Sequence, residues 1–356
     1  MENKTGCSAN LTKRTNESNI QVIAPAKVKT SVSSNRRVGH LNNPQKNYQK
    51  PFKTIDEQIA LLKERGLIVV DEDFAKRVLS EINYYRLEGY WFSFYDTTKP
   101  SHTFFNGTEF KTIYRHYCFD QKLRTSVFHA ISSIEIALKT QFAYELGRVY
   151  GPFPFVKENF RFKFESDWIE SYNKLLKDMK NNSKELFVKH HLETYKEKLL
   201  PIWGMVEIMS FGEISTWFDK QLSDNIKKKI SNRFSVQMNV FTSWIRCISL
   251  VRNICAHHAR LWNKILPIKI MIPSKMIKNQ YQDLFMLADE YQSEKRIYNV
   301  LLTIQYLLDE IQCDMAKGEF LLHVKKLIDE YDIDEKRMGI DNGRSLNMAI
   351  QKIKNC

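Results

Sequence analysis

The feature that most constrains the fold is a long run of helical periodicity in the first half of the chain. Between about residues 109 and 149, apolar residues recur at intervals of three and four. The residues on this stripe are Ile113, Tyr117, Leu123, Val127, Ile131, Ile134, Leu138, Phe142 and Leu146. The pattern predicts a long core helix that ends at Gly147, with a break near Phe119 as the alternative.

Two later segments have the composition of buried helices. Residues 201–222, PIWGMVEIMSFGEISTWFDKQL, are apolar nearly all round and begin with a proline, which is favoured at helix starts. The second is VFTSWIRCISLVRNICAHHARLWN at residues 240–263, and a further apolar stripe lies in EKRIYNVLLTIQYLLDEI. Strand signals are weak and we find no internal repeat. The predicted fold class is therefore all-α.

The composition changes near residue 51. Residues 1–50 are rich in Asn, Ser and Thr and poor in large apolar residues, and they carry nine basic residues against Glu2 and Glu17. The nine are Lys4, Lys13, Arg14, Lys27, Lys29, Arg36, Arg37, Lys46 and Lys50. Such a segment buries too little apolar surface to offset its ordering entropy, so we predict a disordered basic leader. A solvated tail without a specific role is the alternative.

The remaining chain is expected to contain three regions. We predict a helical and aromatic region over residues 51–108 and a helical C-terminal region over residues 269–356. Between them lies a helical core over residues 109–268, with an inserted segment at about residues 151–200. The aromatic cluster YYRLEGYWFSFY in the first region is interpreted as core packing rather than as a surface for stacking bases.

The charge balance favours an anionic partner. The chain has 54 Lys and Arg against 41 Asp and Glu, which gives a net charge of +13. Nucleic acid is such a partner, although membrane-surface proteins share this property and net charge also serves solubility. No run of about 20 apolar residues and no apolar signal core occurs, so we expect a cytoplasmic protein without membrane contact. Six scattered cysteines without a C-x-x-C pair suggest reduced core thiols, and we expect no metal site and no cofactor.

The segment RNICAHH places four strongly polar side chains behind the apolar run WIRCISLV of a buried helix. These are Arg252, Asn253, His257 and His258. Polar groups that enter a core helix are costly unless they are satisfied, so their presence needs an explanation. On a straight helix Asn253 and His257 lie about 40° apart, whereas Arg252 and His257 are separated by about 140°.

A straight helix therefore does not direct Arg252 and His257 to one point. Either the helix distorts near Cys255 and Ala256, or a second copy of the segment faces the first across a twofold axis. Ala256 and Ala259 are small enough to let two such helices approach closely. We therefore expect a homodimer with a composite site.

The residue types fit RNA cleavage by internal transfer, in which the ribose 2′-hydroxyl attacks the adjacent phosphorus. A histidine takes the hydroxyl proton or protonates the leaving oxygen, and an arginine holds the phosphate as its charge builds. This chemistry requires no metal. For an isolated pattern of this kind, satisfied core polar residues are the commoner explanation.

Basic residues elsewhere are candidate RNA contacts. Aromatic residues alternate with Lys157, Arg161 and Lys163 in residues 151–168, which suggests either an RNA-contacting arm or a lid over the core. FRFKFE in this segment alternates like a short strand.

Several separated segments together resemble the Abi family of abortive-infection proteins, whose core is a HEPN ribonuclease domain. The resemblance covers about residues 51–340. The segments that carry it are PFKTIDEQIALLKERGL, INYYRLEGYWFSF, FDQKLRTSVFHAISSIEIALKTQFAYEL, LPIWGMVEIMSFGEISTWF, LVRNICAHHARLWN and RIYNVLLTIQYLL. It implies a HEPN-type helical bundle with helical N- and C-terminal extensions.

The resemblance also assigns residues to the site. The family's Arg-Asn-x-x-x-His motif falls on Arg252, Asn253 and His257, and His258 ranks second. Glu135, on the long first helix, becomes a candidate partner that fixes the histidine tautomer or holds Arg252, although a solvated glutamate is the simpler interpretation. Arg124, three turns earlier, is a weaker candidate for contact with RNA phosphate.

The function implied is phage defence by a metal-independent endoribonuclease that is held silent until infection is sensed. The restraint is a protein or RNA antitoxin or an inactive conformation, so RNA is expected as substrate and as a candidate restraining partner. The alternative is a non-catalytic RNA-binding regulator that uses the same motif to hold phosphate. A DNA-targeting or nucleotide-modifying relative is the third option.

Overall fold

A computed structural model of the chain describes residues 47–99, 102–162, 164–273, 278–281, 283–286, 295–340 and 343–355. The chain separates into two units, residues 1–52 and residues 53–356. Of the first unit only residues 47–52 are described, and they contain neither helix nor strand. The predicted basic leader therefore falls almost entirely outside the described residues.

The second unit is built from helices. Its described residues form 13 α-helices and no strand, apart from two isolated bridges, which confirms the prediction of an all-α fold. The helices are α1 Ile55–Glu64, α2 Glu72–Glu81, α3 Tyr84–Trp91, α4 Phe110–Tyr150, α5 Glu165–Asn181, α6 Leu186–Thr194, α7 Ile202–Ile208, α8 Phe211–Thr216, α9 Asp224–Arg233, α10 Met238–Ala256, α11 Ile297–Ile311, α12 Glu319–Tyr331 and α13 Leu346–Lys354. No helix among the described residues has both the length and the apolarity needed to cross a membrane.

Helix α4 is the central element. Its 41 residues run without a break through Phe119, and at 1.5 Å per residue they span roughly 60 Å. All the residues of the predicted apolar stripe are buried except Tyr117, which is partly buried. Helices α3, α7, α9, α10, α11 and α12 pack against α4, so the stripe is covered along its length.

The predicted end of this helix at Gly147 was wrong. The helix ends at Gly151, whose φ of 78° is the left-handed value that glycine adopts without a steric cost. Gly147 lies inside α4 instead, where a Cβ atom would meet Ile202 Cγ2 at 3.4 Å. Its small size lets α7 approach α4 closely, and this close approach is why a glycine occurs within the helix.

The single central helix predicted from Pro201 is two short helices, α7 and α8. Ser210 caps α8 together with Glu213, each side chain bonding the backbone N–H of the other, and this capping box begins a new helix. Trp203 on α7 is 58% exposed, so the segment is not buried all round as predicted.

The segment between α4 and α7 contains α5 and α6. Phe155 and Phe160 precede α5, are buried, and contact the ring of Trp217 edge-on. No strand forms in the described residues of FRFKFE. These aromatic side chains thus serve as packing for the helical body.

The buried residues from Ile59 to Ile353 form one continuous core. All three regions expected from the sequence contribute to it, and their boundaries at residues 108 and 268 stay predictions. The core surrounds α4 and α10, whose ends position the polar residues described next.

Candidate active site

The polar segment RNICAHH lies at the C-terminal end of α10. Arg252 and Asn253 belong to the last turns of the helix, which ends at Ala256. His257 is the C-cap, and His258 adopts a left-handed backbone with φ of 55°. The two histidines therefore lie outside the predicted buried helix. The helix ends at Ala256, which agrees with one of the two alternatives, a distortion near Cys255 and Ala256.

The helix ends in a Schellman motif. The Ala259 N–H donates to the Ile254 carbonyl at 3.0 Å, and the His258 N–H donates to the Cys255 carbonyl at 3.1 Å. The left-handed position of this motif is usually glycine, because a side chain there costs roughly 1 kcal/mol or more. His258 thus occupies a backbone position that glycine would fill at lower cost.

The polar side chains of the segment do not enter the core. Asn253, His257 and His258 are exposed and Arg252 is half-buried, whereas Ile254 and Cys255 face the interior. The desolvation cost expected for this segment is therefore small, because water reaches most of its polar atoms.

Arg252 lies against α4. Its Nε is 3.4 Å from Oε2 of Glu135, and its guanidinium carbon is 5.4 Å from the centre of the Phe128 ring. Glu135 is also 3.4 Å from the Lys139 ammonium group. Glu135 thus faces the motif and pairs with Arg252. Holding Arg252 was one of the two roles predicted for Glu135, the other being to fix the histidine tautomer. A role of Glu135 in catalysis stays a prediction.

The residues that follow the motif are fixed by the fully buried carboxylate of Asp120 in α4. It accepts hydrogen bonds from the backbone N–H groups of Leu261 at 3.1 Å and Trp262 at 2.6 Å. It also accepts from the Tyr90 hydroxyl at 2.6 Å and from the Arg124 guanidinium. One side chain thereby joins α3, α4 and the chain immediately after the two histidines.

Burial raises the pKa of the Asp120 carboxyl, and the Arg124 guanidinium and the other donors oppose that change. Burial and the Asp120 carboxylate raise the pKa of the Tyr90 hydroxyl above its ordinary value, so Tyr90 stays a neutral donor. Four donors and a matched charge satisfy the buried carboxylate.

Arg124, predicted as a contact for RNA phosphate, is only 5% exposed. Its guanidinium pairs with Asp120 and lies 3.3 Å from the Tyr90 hydroxyl. Its charge is already matched within the protein, and a contact with phosphate stays a prediction.

A cleft of about 620 Å³ opens beside the motif. None of the described residues that line it is acidic. The lining residues are Arg86, Tyr117, Gln121, Arg124, Thr125, Phe128, Cys255, Ala256 and His258. The cleft therefore lies between α3, α4 and the end of α10, and its charged lining is basic.

Cys255 is the cysteine among the described residues that line the cleft, and it is buried. Burial raises the pKa of the Cys255 thiol to about 12, so the thiol is protonated at neutral pH. Among the described residues, no group of three or more His, Cys, Asp or Glu side chains is arranged to hold a metal ion.

The remaining predicted contacts lie elsewhere. Lys157 pairs with Glu165 and Arg161 with Asp224, each at 3.1 Å. Phe160 of their segment packs on Trp217, and the next residue, Phe218, contacts Phe241 in the first turns of α10. Phe241 lies roughly 16 Å along α10 from Arg252. Lys163 lies outside the described residues, and the RNA-binding role of all three stays a prediction.

Three residues of the site were not predicted: Arg86, Tyr90 and Asp120. Asp120 had a usable signal, because it lies in phase with Ile113 and Leu123 on the buried stripe of α4. A carboxylate at such a position, with an arginine four residues later, indicates a buried ion pair. Arg86 and Tyr90 gave no comparable signal.

We predict that Asp120→Asn lowers the free energy of unfolding by about 3 kcal/mol, because it leaves the buried Arg124 charge without its carboxylate. Urea denaturation of the full chain measures this. The control is Glu330→Gln. It removes an exposed ion pair between Glu330 of α12 and Lys122, which lies on α4 like Asp120, and it should lower the free energy of unfolding by less than about 1 kcal/mol. Equal losses in the two variants would contradict the proposed importance of Asp120.

We also predict that His258→Gly raises the free energy of unfolding by up to about 1 kcal/mol, because glycine removes the cost of the left-handed backbone. His258→Ala keeps that cost and should give no gain. Gln312→Gly, at the left-handed C-cap of α11, is the matched control and should also stabilise the chain. A loss of stability in His258→Gly would mean that contacts of the imidazole outweigh the backbone cost.

Comparison with known proteins points to one family. The sequence profile of the Abi-like protein family matches residues 77–263, from α2 to the segment after the motif, which is more than half of the chain. No curated protein and no solved structure matches. The matched region contains the cleft lining, Asp120 and the polar residues at the end of α10, and the chain belongs to the Abi-like protein family.

Proposed function

We propose that this chain is a HEPN-type, metal-independent endoribonuclease of a phage-defence system, with Arg252 and His257 in its active centre. The observation that carries the proposal is that the Arg-Asn-x-x-x-His segment, residues 252–257, lies beside a basic cleft. Cys255, Ala256 and the adjacent His258 line this cleft, and Arg252 lies on the ring of Phe128, another lining residue. Asn253 and His257 of this segment, and the adjacent His258, are exposed and accessible to a large anionic substrate. Family membership supports the defence role.

The reaction is an internal transfer. The 2′-hydroxyl oxygen forms a bond to the adjacent phosphorus, the bond from phosphorus to the 5′-oxygen breaks, and a 2′,3′-cyclic phosphate and a 5′-hydroxyl result. One histidine removes the 2′-hydroxyl proton and a second group protonates the leaving oxygen. The Arg252 guanidinium stabilises the negative charge that develops on the phosphate. No water or metal is consumed or required.

Two observations support a site completed by a second copy of the chain. Arg252 is held against α4 by Glu135 and Phe128, whereas His257 follows the end of α10, and neither of the two side chains lines the cleft. Ile136, on the exposed side of α4, is 65% exposed, and Trp203 of α7, which lies beside Gly147 of α4, is 58% exposed. Exposed apolar surface of this kind is typical of protein–protein contacts.

In this scheme two copies associate through the exposed side of α4 so that Arg252 of each copy faces His257 of the other, which gives two composite sites in each dimer. Activity that halts growth requires restraint until infection. A protein or RNA antitoxin, or an inactive arrangement of the two copies, supplies it. The net charge of +13 favours RNA both as substrate and as a restraining partner.

We predict that Arg252→Ala and His257→Ala each lower RNA cleavage by roughly 100-fold or more and abolish toxicity in the host, while the chain stays folded. Cleavage is measured by the appearance of 5′-hydroxyl and 2′,3′-cyclic phosphate ends, and EDTA should leave it unchanged. Cleavage that persists after both His257 and His258 are replaced by Ala would exclude this mechanism. RNA binding by the wild type without new ends would identify a non-catalytic regulator, and a mass increase of RNA after incubation with a nucleotide donor would identify a modifying enzyme.

The composite site makes a separate prediction. Mixing the inactive Arg252→Ala and His257→Ala chains should restore about one quarter of wild-type cleavage, because half of the dimers then hold one intact site of two. Adding Ile136→Glu to both chains should remove the rescue and lower the dimer mass in light scattering, whereas Leu186→Glu, at an exposed position on α6, should not. Failure to rescue by a mixture that forms mixed dimers would show that each site belongs to one subunit.

A further inference from the structure

Arg86 connects α3 to the motif. It is exposed, it lines the cleft, and its Nη1 donates a hydrogen bond of 2.6 Å to the backbone carbonyl of His258. It lies one helical turn before Tyr90, the residue that bonds both Asp120 and Arg124. An arginine from a distant part of the sequence is thus fixed against the turn that holds the two histidines.

The described lining of the cleft contains two arginines, Arg86 and Arg124, and Arg252 lies beside it on the ring of Phe128. Arg124 pairs with Asp120, and Arg252 pairs with Glu135. Arg86 is bonded only to a carbonyl, and across the described ranges of the chain no carboxylate lies within ion-pair distance of it. Arg86 is therefore the cleft arginine whose charge the protein itself leaves unmatched.

A guanidinium has five N–H donors in a rigid, planar arrangement that suits two oxygens of one phosphate. The bond to the His258 carbonyl uses one donor. The others are available for a ligand in the cleft, whose described lining contains no acidic residue to repel an anion. The volume of about 620 Å³ lies in the range of pockets that enclose a small ligand and is sufficient for one nucleotide of a single strand.

We propose that Arg86 is a phosphate-binding residue that holds the backbone of a single-stranded RNA in this cleft, next to the motif. The proposal rests on the proposed function for the identity of the ligand as RNA. It does not require that the RNA is cut. Because the same guanidinium is bonded to the His258 carbonyl, a phosphate on its other edge is held beside the two histidines.

The test uses the full wild-type chain and a short single-stranded 2′-O-methyl RNA, which lacks the attacking hydroxyl and is not cut by internal transfer. Fluorescence anisotropy at a series of salt concentrations gives the affinity and its salt dependence. Arg86→Ala should weaken binding by about 10-fold or more and reduce the slope of log K against log salt by about 0.7, the value for one phosphate of a single strand. Arg86→Lys keeps the charge and should recover most of the slope.

The control is Arg148→Ala, which removes one positive charge near the C-terminal end of α4, roughly 30 Å along the helix from Phe128, where the guanidinium is paired with Glu145. It should change the affinity and the slope much less than Arg86→Ala does. If Arg86→Ala behaves like Arg148→Ala, the proposal is overturned even where cleavage by the wild type is confirmed. A lower unfolding midpoint with an unchanged slope would assign Arg86 a structural role only and would equally overturn it.

The two proposals fail separately. Salt-dependent RNA binding that depends on Arg86, in a chain that never generates new RNA ends, would refute the ribonuclease function and leave the role of Arg86 standing.

Discussion

The carboxylate of Asp120 is fully buried, and hydrogen-bond donors from three separate parts of the chain converge on it. The donors that matter most for the site are the backbone N–H groups of Leu261 and Trp262, because they attach the segment after the motif to the middle of α4. The end of α10 is therefore restrained on both sides, by its own helix before the histidines and by Asp120 after them. The rims of the cleft keep their separation because α3 is bonded to the same carboxylate through Tyr90.

Much of the fold could be predicted from the sequence because α4 has a regular apolar stripe, which is typical of a helix that packs against other helices on one side and is exposed on the other. The errors occurred where local residues have two interpretations. Gly147 looked like a helix end but serves a close helix contact, and the run from Pro201 looked continuous because Ser210 and Glu213 form a capping box between apolar residues. The candidate Glu135 came from the resemblance to the Abi family rather than from periodicity; its carboxylate lies 3.4 Å from Nε of Arg252, and its role in the site stays a prediction.

The rest of the site was not accessible to sequence reasoning for a physical reason. The bond between Arg86 and His258 joins residues 172 positions apart in the sequence, and an exposed arginine on a short helix has no periodic neighbour that reveals its partner. The left-handed backbone of His258 could not be predicted either. A Schellman motif is usually recognised in a sequence by a glycine at the left-handed position, and here that residue is a histidine. Arg86 lies on the exposed side of a short helix and His258 follows the end of α10, and apolar periodicity gives no information at either position.

The hydrogen bond from Arg86 to the carbonyl of His258 affects the entropy change expected when a ligand binds in the cleft. A loop that carries functional side chains ordinarily loses conformational freedom when a ligand arrives, and that entropy loss subtracts from affinity. Here the backbone of the turn is already ordered by the end of α10, by Asp120 and by Arg86 during folding. Only side-chain torsions remain to be restricted, so the site is preorganised and the entropy cost of arranging the histidines belongs to folding rather than to ligand binding.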